Sequence, residues 1–525
     1  MQKQIDPKTQ NENVSAAGEL PVYFRGRQEQ ATYADTGVWR YQDNPLNEAL
    51  GKILAAKEAS KLMAYYPPYN DSERKLPAEI RVHLTHTVLD LFVTLPVHID
   101  LEQRFSCLFR NGYVHRNPLA VDHWKKIGRA VEGWNCEPIS TNPVHSTATG
   151  FNIIGISGGG KTSGTQRVLN LSPQVVYHSA YRNRPFTFSQ IVWLMMSCPF
   201  DASIRALCID FFKIVDDLVG TNHYRTYAKD RTTDEMLPAM ARVAAIHGMG
   251  GLIIDEVQFL SESSSGGRAR MLNFFCDLTN RVNMPVVCIG TYKALTVLGR
   301  EFRQIRRGCG EGEKRWERLV DSKTWRFFLK SVWHYQYVSH VTPLTDELCD
   351  LYFDLTQGIP DLCVKLHMLT QIRAIRTGIE AITPAVVRSV ASDCFISAEP
   401  ILDALRRNDT AALELISDVH SIDVNECIRA LDKVADSTSL ISTRQKSKIK
   451  KQSTVPDAEN PGSYPTAATD QKGSITQDAA GRPVSGANKN SVLASAGDGQ
   501  SGYDRLKAKG FIRSGAEFLD IKEAA

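Results

Sequence analysis

Apolar positions change their spacing three times along the chain. From Asn44 to about Ile127 they recur at helical intervals. Asn44 reads as a side-chain cap with Pro45 at the first helical position, and Leu46, Ala49, Leu50, Ile53 and Leu54 then fall on one face. Val88–Val93 (VLDLFV) supplies a second helical stripe, and Leu101, Phe105 and Leu108 a third. Between Gly150 and about Val338, short apolar runs bounded by turn residues alternate with helical stretches. The runs are Phe151–Ile156, Val175–Ser179, Leu252–Asp255 and Val286–Gly290, and the alternation predicts a parallel sheet covered on both faces. Ile191–Ser197 (IVWLMMS) has no decisive period and reads as a buried helix capped by Ser189. From Asp346 to about Val434 the pattern is helical again, with helix starts at Gly358-Ile359-Pro360 and Ile382-Thr383-Pro384.

Two stretches have no period. Residues 1–30 are polar and read as a flexible segment. Thr443–Gly502 holds one aromatic, Tyr464, too little apolar surface to offset the entropy of ordering, so residues 436–502 are expected to be a disordered linker. The linker carries a basic cluster, Arg444–Lys451. Behind it Leu506, Phe511, Ile512, Phe518, Leu519 and Ile521 restore an amphipathic pattern over 503–525, which fits a docking peptide on a tether as well as a solvated tail.

Composition adds exclusions. A chain of 525 residues exceeds one ordinary core, and 42% hydrophobic with 23% charged residues excludes a wholly disordered or fibrous protein. No apolar run approaches the roughly 18 residues of a membrane helix, and the first residues lack the order of a signal peptide. Eleven cysteines without a CxxC pair read as reduced thiols of a cytoplasmic protein, not a zinc site or disulfide framework. A net charge of +4 means that any nucleic-acid surface must come from local clustering.

The chemistry concentrates in two places. Gly155-Ile156-Ser157-Gly158-Gly159-Gly160-Lys161-Thr162 satisfies GxxxxGK[ST] between an apolar strand and a helix start. Its glycines let backbone N–H groups wrap phosphate oxygens, Lys161 reaches the terminal phosphates of ATP, and the Thr162 hydroxyl can ligate Mg²⁺. Farther on, the apolar run from Gly251 ends in Asp255-Glu256, placing one acid to hold the metal and one to activate water. Thr291, after the next strand, either senses the terminal phosphate or simply caps the strand. Arg303, Arg306 and Arg307 either supply a guanidinium to a neighbouring subunit's site, or lie on a solvated helix or against DNA.

In that order these features resemble AAA+ ATPases, an α/β P-loop fold with a helical lid. Further phrases look like the TnsC family, the AAA+ regulators of prokaryotic DNA transposition. They include Asp35-Thr36-Gly37-Val38, Tyr41-Gln42-Asp43-Asn44-Pro45, Gly112-Tyr113-Val114-His115-Arg116-Asn117-Pro118 and Pro173-Gln174-Val175-Val176-Tyr177-His178. Met271-Leu272-Asn273-Phe274-Phe275, Gly290-Thr291-Tyr292-Lys293-Ala294 and Asp504-Arg505-Leu506-Lys507-Ala508-Lys509-Gly510 extend the likeness. The resemblance implies a prokaryotic, cytoplasmic protein that assembles with itself on duplex DNA as a ring or helical filament. It also implies that the protein links a target-selection protein, DNA-binding or RNA-guided, to transposase subunits, and uses ATP hydrolysis to control assembly. On this reading 31–149 is a helical partner-binding region, 150–338 the nucleotide-binding domain, 339–435 the lid, and 503–525 docks transposase. The departure is at the lid, where Asp361 follows the G-x-P turn in place of the usual arginine and only Lys365 stands near.

Duplex binding would need basic loops. Arg182 and Arg184 form one cluster, and Tyr224, Arg225, Lys229 and Arg231 a second that Arg205 can join. Their contacts would go to phosphates, with little sequence preference; solvated loop charge is the alternative. A helicase-loader or origin-type AAA+ ATPase, or a nucleotide-binding scaffold with little turnover, would share the same nucleotide site.

Overall fold

The computed structural model describes residues 23–132, 150–261, 265–294, 313–409 and 412–413, all within one compact unit. A second unit, Asp432–Arg513, lies outside the described residues, as do the linker and the C-terminal peptide expected from the sequence.

Five strands form the central sheet: β2 (Phe151–Gly155), β5 (Trp193–Ser197), β6 (Gly251–Asp255), β7 (Val286–Gly290) and β8 (Glu313–Trp316). Their order is β5-β6-β7-β2-β8 and every pairing is parallel. Alternate side chains go to opposite faces. Ile153, Ile253, Val287 and Ile289 meet helices α4 (Pro96–Tyr113) and α6 (Lys161–Leu169). Ile154, Leu252, Ile254, Val286 and Cys288 meet α7 (Ile204–Val219), α9 (Thr233–Ile246) and α10 (Ser265–Val282). Burial on both faces is why these strands are continuous apolar runs. Helix α4, from the N-terminal lead-in, is thus a layer of the α/β sandwich. The strand order reverses at β2, so the crevice at its carboxyl end is where such sheets bind ligands.

The structure corrects several local expectations. Ile191–Ser197 is not a helix: Ile191 ends β4 (Arg184–Ile191), and Trp193–Ser197 is the edge strand, paired from Trp193↔Gly251 to Ser197↔Asp255. Seven residues are too few for a core helix, and a run buried on both faces has no period to read. Val175–Ser179 is a strand, β3 (Val175–Tyr181), but it leaves the central sheet. A two-residue turn folds it onto β4, and β1 (Gln28–Gln30) joins its other edge in parallel. The end of the segment expected to be flexible is therefore ordered, because β3 presents a bare edge to it. Asn44 does cap a helix, accepting from the Leu46 N–H, but that helix, α1, spans only Pro45–Glu48. Gly51 at φ +72° turns the chain away before Ile53 and Leu54. Val88–Val93 is no helical stripe either: a 3-10 turn ends at Asp90, and Phe92 bridges Tyr65.

Five helices, α11 (Ser322–Trp333), α12 (Asp346–Thr356), α13 (Pro360–Arg376), α14 (Pro384–Cys394) and α15 (Glu399–Arg406), pack into a second core that takes in the expected lid and also α11, which the sequence assigned to the nucleotide-binding domain. Both expected punctuations hold, with α13 starting at Pro360 and Thr383 capping α14. Val88, Val93 and Leu95 of the lead-in enter the lid core. Arg81, buried, makes a two-pronged ion pair with Glu380 at 2.7 Å. That pairing holds the Glu380 carboxyl down at about 2. Among the described residues no helix is long and apolar enough to cross a membrane, and no cysteine is in a disulfide.

Candidate nucleotide site

The phosphate loop leaves β2 and enters α6 with Gly158 at φ +73° and Gly160 at φ +86°, conformations that side chains rarely adopt. Lys161 is almost fully buried, its Nζ donating to the carbonyl oxygens of Gly155 (3.0 Å) and Ile156 (2.8 Å). The ammonium thus lies within the loop that would surround a phosphate. One residue on, the Thr162 hydroxyl donates to Asp255 Oδ2 at 2.7 Å, joining the start of α6 to the tip of β6. Burial raises the Asp255 carboxyl, against the pull of Thr162, the Glu256 N–H and Lys161. A hydroxyl and a buried carboxylate at this separation are hard oxygen donors of the kind Mg²⁺ takes in ones and twos, with nucleotide phosphates completing the shell. Among the described residues there is no group of three or more His, Cys, Asp or Glu that could hold a metal ion.

Glu256 follows at φ +58°, a left-handed conformation that aims it away from the strand. Its carboxylate accepts from Gln258 Nε2, and Gln258 Oε1 accepts from the Thr291 N–H at 3.2 Å. The structure therefore brings Lys161, Thr162, Asp255, Glu256 and Thr291 to neighbouring strand ends of one sheet. Arg303, Arg306 and Arg307 lie outside the described residues.

Three features escaped the sequence reading. Gln258 is one; the spacing Asp-Glu-x-Gln could have flagged it. Trp316, at the end of β8, is another. Its indole N–H donates to the Gly159 carbonyl at 2.7 Å, and side chains added at Gly155 or Gly164 would strike it. The phosphate loop thus rests on a tryptophan that no local motif announces. Third, the lid touches the loop. The Asp361 N–H donates to the Gly158 carbonyl at 3.3 Å, and its carboxylate takes the Lys365 ammonium at 2.8 Å.

An acid beside a phosphate loop opposes anion binding unless it is neutralised. Lys365→Ala is therefore expected to weaken ATP about 5–10-fold, roughly 1–1.4 kcal/mol, and adding Asp361→Asn should restore it. Calorimetric titration of both variants checks this; an unchanged affinity in Lys365→Ala would show that the pair plays no part.

The candidate DNA residues fall in two places. Arg182 sits with Asn183 at the β3–β4 turn, both at positive φ, and is paired with Asp43 and Glu48. Arg184, next to it, is exposed. Of the other five, Arg205, Tyr224 and Arg225 lie on helices, and Lys229 and Arg231 in the connection from α8 (His223–Tyr227) to α9. Arg205, at the start of α7, donates to the Arg231 carbonyl, and Arg231 pairs with Glu235. Tyr224 and Arg225 ride on α8 (His223–Tyr227), and Arg225 and Lys229 are exposed. Phe200, 79% exposed in the loop between β5 and α7, is an aromatic that the sequence reading passed over.

Among comparisons with known proteins, residues 144–298 match the family described as AAA domain. No curated protein matches the chain. Solved structures that resemble it include the Walker-type ATPase of Pyrococcus abyssi, at 16% identity and TM-score 0.32, covering 56% of this chain and 77% of that one. The Orc1 protein of Aeropyrum pernix in complex with DNA gives 15%, 0.33, 59% and 82% in the same terms. AMPPCP-bound DnaA from Aquifex aeolicus gives 14%, 0.25, 63% and 93%. Likenesses this low carry no argument about function. The phosphate loop, its acid partners and the sheet order, with the match to the AAA domain over residues 144–298, give this part of the chain the AAA+ P-loop fold.

Proposed function

We propose that the protein is an ATP-hydrolysing switch that assembles on target duplex DNA and links a target-selection protein to a transposase. The observation that carries the nucleotide chemistry is the 2.7 Å contact between Thr162 and Asp255 beside a buried Lys161. Mg²⁺–ATP, when bound, supplies a phosphoanhydride whose cleavage the cation assists. On this reading Lys161 donates to phosphate oxygens, Thr162 and Asp255 hold the cation, and Glu256 accepts a proton from the attacking water. One arginine among Arg303, Arg306 and Arg307 is assigned to a neighbouring subunit's site.

Support for the DNA role comes from the exposed basic residues on α7 and α8, in the α8–α9 connection and at the hairpin tip. Support for transposition comes from the TnsC-like phrases, several of which lock together. The Asn44 amide donates to the Tyr113 carbonyl and the Asn117 amide to the Asp43 carbonyl, while the Tyr41 hydroxyl donates to Asn111, just ahead of the phrase that starts at Gly112. Electron microscopy of the full chain with a non-hydrolysable ATP analogue, Mg²⁺ and long duplex DNA should reveal rings or helical filaments. Removing 503–525 should leave those assemblies intact and abolish capture of transposase subunits. A chain that stays monomeric on DNA ends the switch reading, and undiminished transposase capture by the truncated chain ends the docking assignment.

A further inference from the structure

Gln258 occupies a place that the two catalytic motifs do not account for. It is only 2% exposed, in the 3-10 turn Val257–Ser261 that follows β6. Its amide spans two strand ends. On one side Nε2 donates to the Glu256 carboxylate; on the other Oε1 accepts from the Thr291 N–H. A Cβ added at Gly290 would come within 3.1 Å of that same Oε1, so the tip of β7 is shaped closely around the amide.

A buried amide held at both ends has a fixed orientation. Flipping it would set oxygen against carboxylate and nitrogen against N–H, losing two hydrogen bonds away from water. Glu256 itself has no strand geometry to hold it, since its backbone sits at φ +58°. Its carboxylate is therefore oriented from outside, by a donor whose own position is set by β7.

We propose that Gln258 is a positioning residue for ATP hydrolysis: it aims the Glu256 carboxylate and ties that aim to the backbone at Thr291. A shift of the β7 tip, as when Thr291 meets a terminal phosphate, reaches Glu256 through a single rigid amide. This rests on the reading of Glu256 as the water-activating base and adds how that base is aimed.

The test uses the full chain, with single-turnover and steady-state ATPase assays beside direct ATP binding and melting temperature. Gln258→Met keeps the length and removes both hydrogen bonds; Gln258→Glu keeps an acceptor toward Thr291 and removes the donor toward Glu256. Both should lower kcat at least about 10-fold with KM and ATP affinity held within about 3-fold. In a Glu256→Gln background, Gln258→Met should cost nothing further, because the group it aims is gone. A Gln258→Met enzyme at wild-type kcat overturns the proposal. So does a loss of ATP affinity in step with kcat, or an additive fall in the double variant. If Gln258→Met fails to fold, Gln258→Glu decides alone: retained kcat there means the donor is not needed. A wild-type chain without turnover, or Glu256→Gln with full turnover, instead removes the reading of Glu256 and the relay with it.

Discussion

Lys161→Ala is expected to lower ATP affinity by at least about 100-fold, close to 3 kcal/mol, and with it to abolish nucleotide-dependent assembly on DNA. The size follows from burial. Nζ sits in a loop largely shut off from water, where a charge-assisted hydrogen bond is worth more than at the surface. The substitution also strips the Gly155 and Ile156 carbonyls of a donor, so some loss of order in the loop should accompany it. Trp316 limits that loss by keeping its hold on the Gly159 carbonyl. Lys161→Met, which restores the length but not the charge, separates the two effects. Equal loss in both variants assigns the deficit to the ammonium. Calorimetric binding with circular dichroism as a fold control measures it, and ATP bound by Lys161→Ala as tightly as by the parent would refute the site.

What could be read from the sequence was what is local. The phosphate loop needs eight consecutive residues, and Asp255-Glu256 needs only an apolar run and its end; both stand where the spacing puts them. Helix caps at Asn44 and Thr383 are also short-range devices and are found as expected. Contacts between distant segments were not legible. Gln258 matters because of Thr291, thirty-three residues on, and Trp316 because of Gly159, 157 residues back. Strand β5 was misread for a different reason. A strand buried on both faces carries no alternation, and its neighbours in the sheet come from far along the chain. The TnsC-like phrases illustrate the same division. As sequence they are markers of likeness; in the structure Tyr41, Asn44, Asn111 and Asn117 bind the lead-in to itself, and His178 is buried between Tyr33 and Gln190. Residues of this kind serve folding first, and transposase capture by the full chain is the measurement that speaks to transposition.

The converse of losing ATP is being unable to release it. Glu256→Gln should leave ATP affinity within about 3-fold of the parent while cutting turnover at least about 100-fold, because the amide occupies the carboxylate's space and cannot accept a proton from water. Binding is spared because the groups assigned to the phosphates and cation are Lys161, Thr162 and Asp255, and Asp255 keeps both its Thr162 contact and the N–H of residue 256. If ATP cements neighbouring subunits on DNA, oligomers of the variant should outlive those of the parent. Their dissociation after dilution into competitor DNA would slow by about the same factor as turnover. Light scattering or single-molecule residence times read this directly. A variant that stops hydrolysing yet leaves DNA as fast as the parent would separate the two halves of the switch, keeping Glu256 as the base while denying hydrolysis any control over assembly. A variant that hydrolyses at the parental rate would leave Glu256 as no more than the residue that turns the chain after β6.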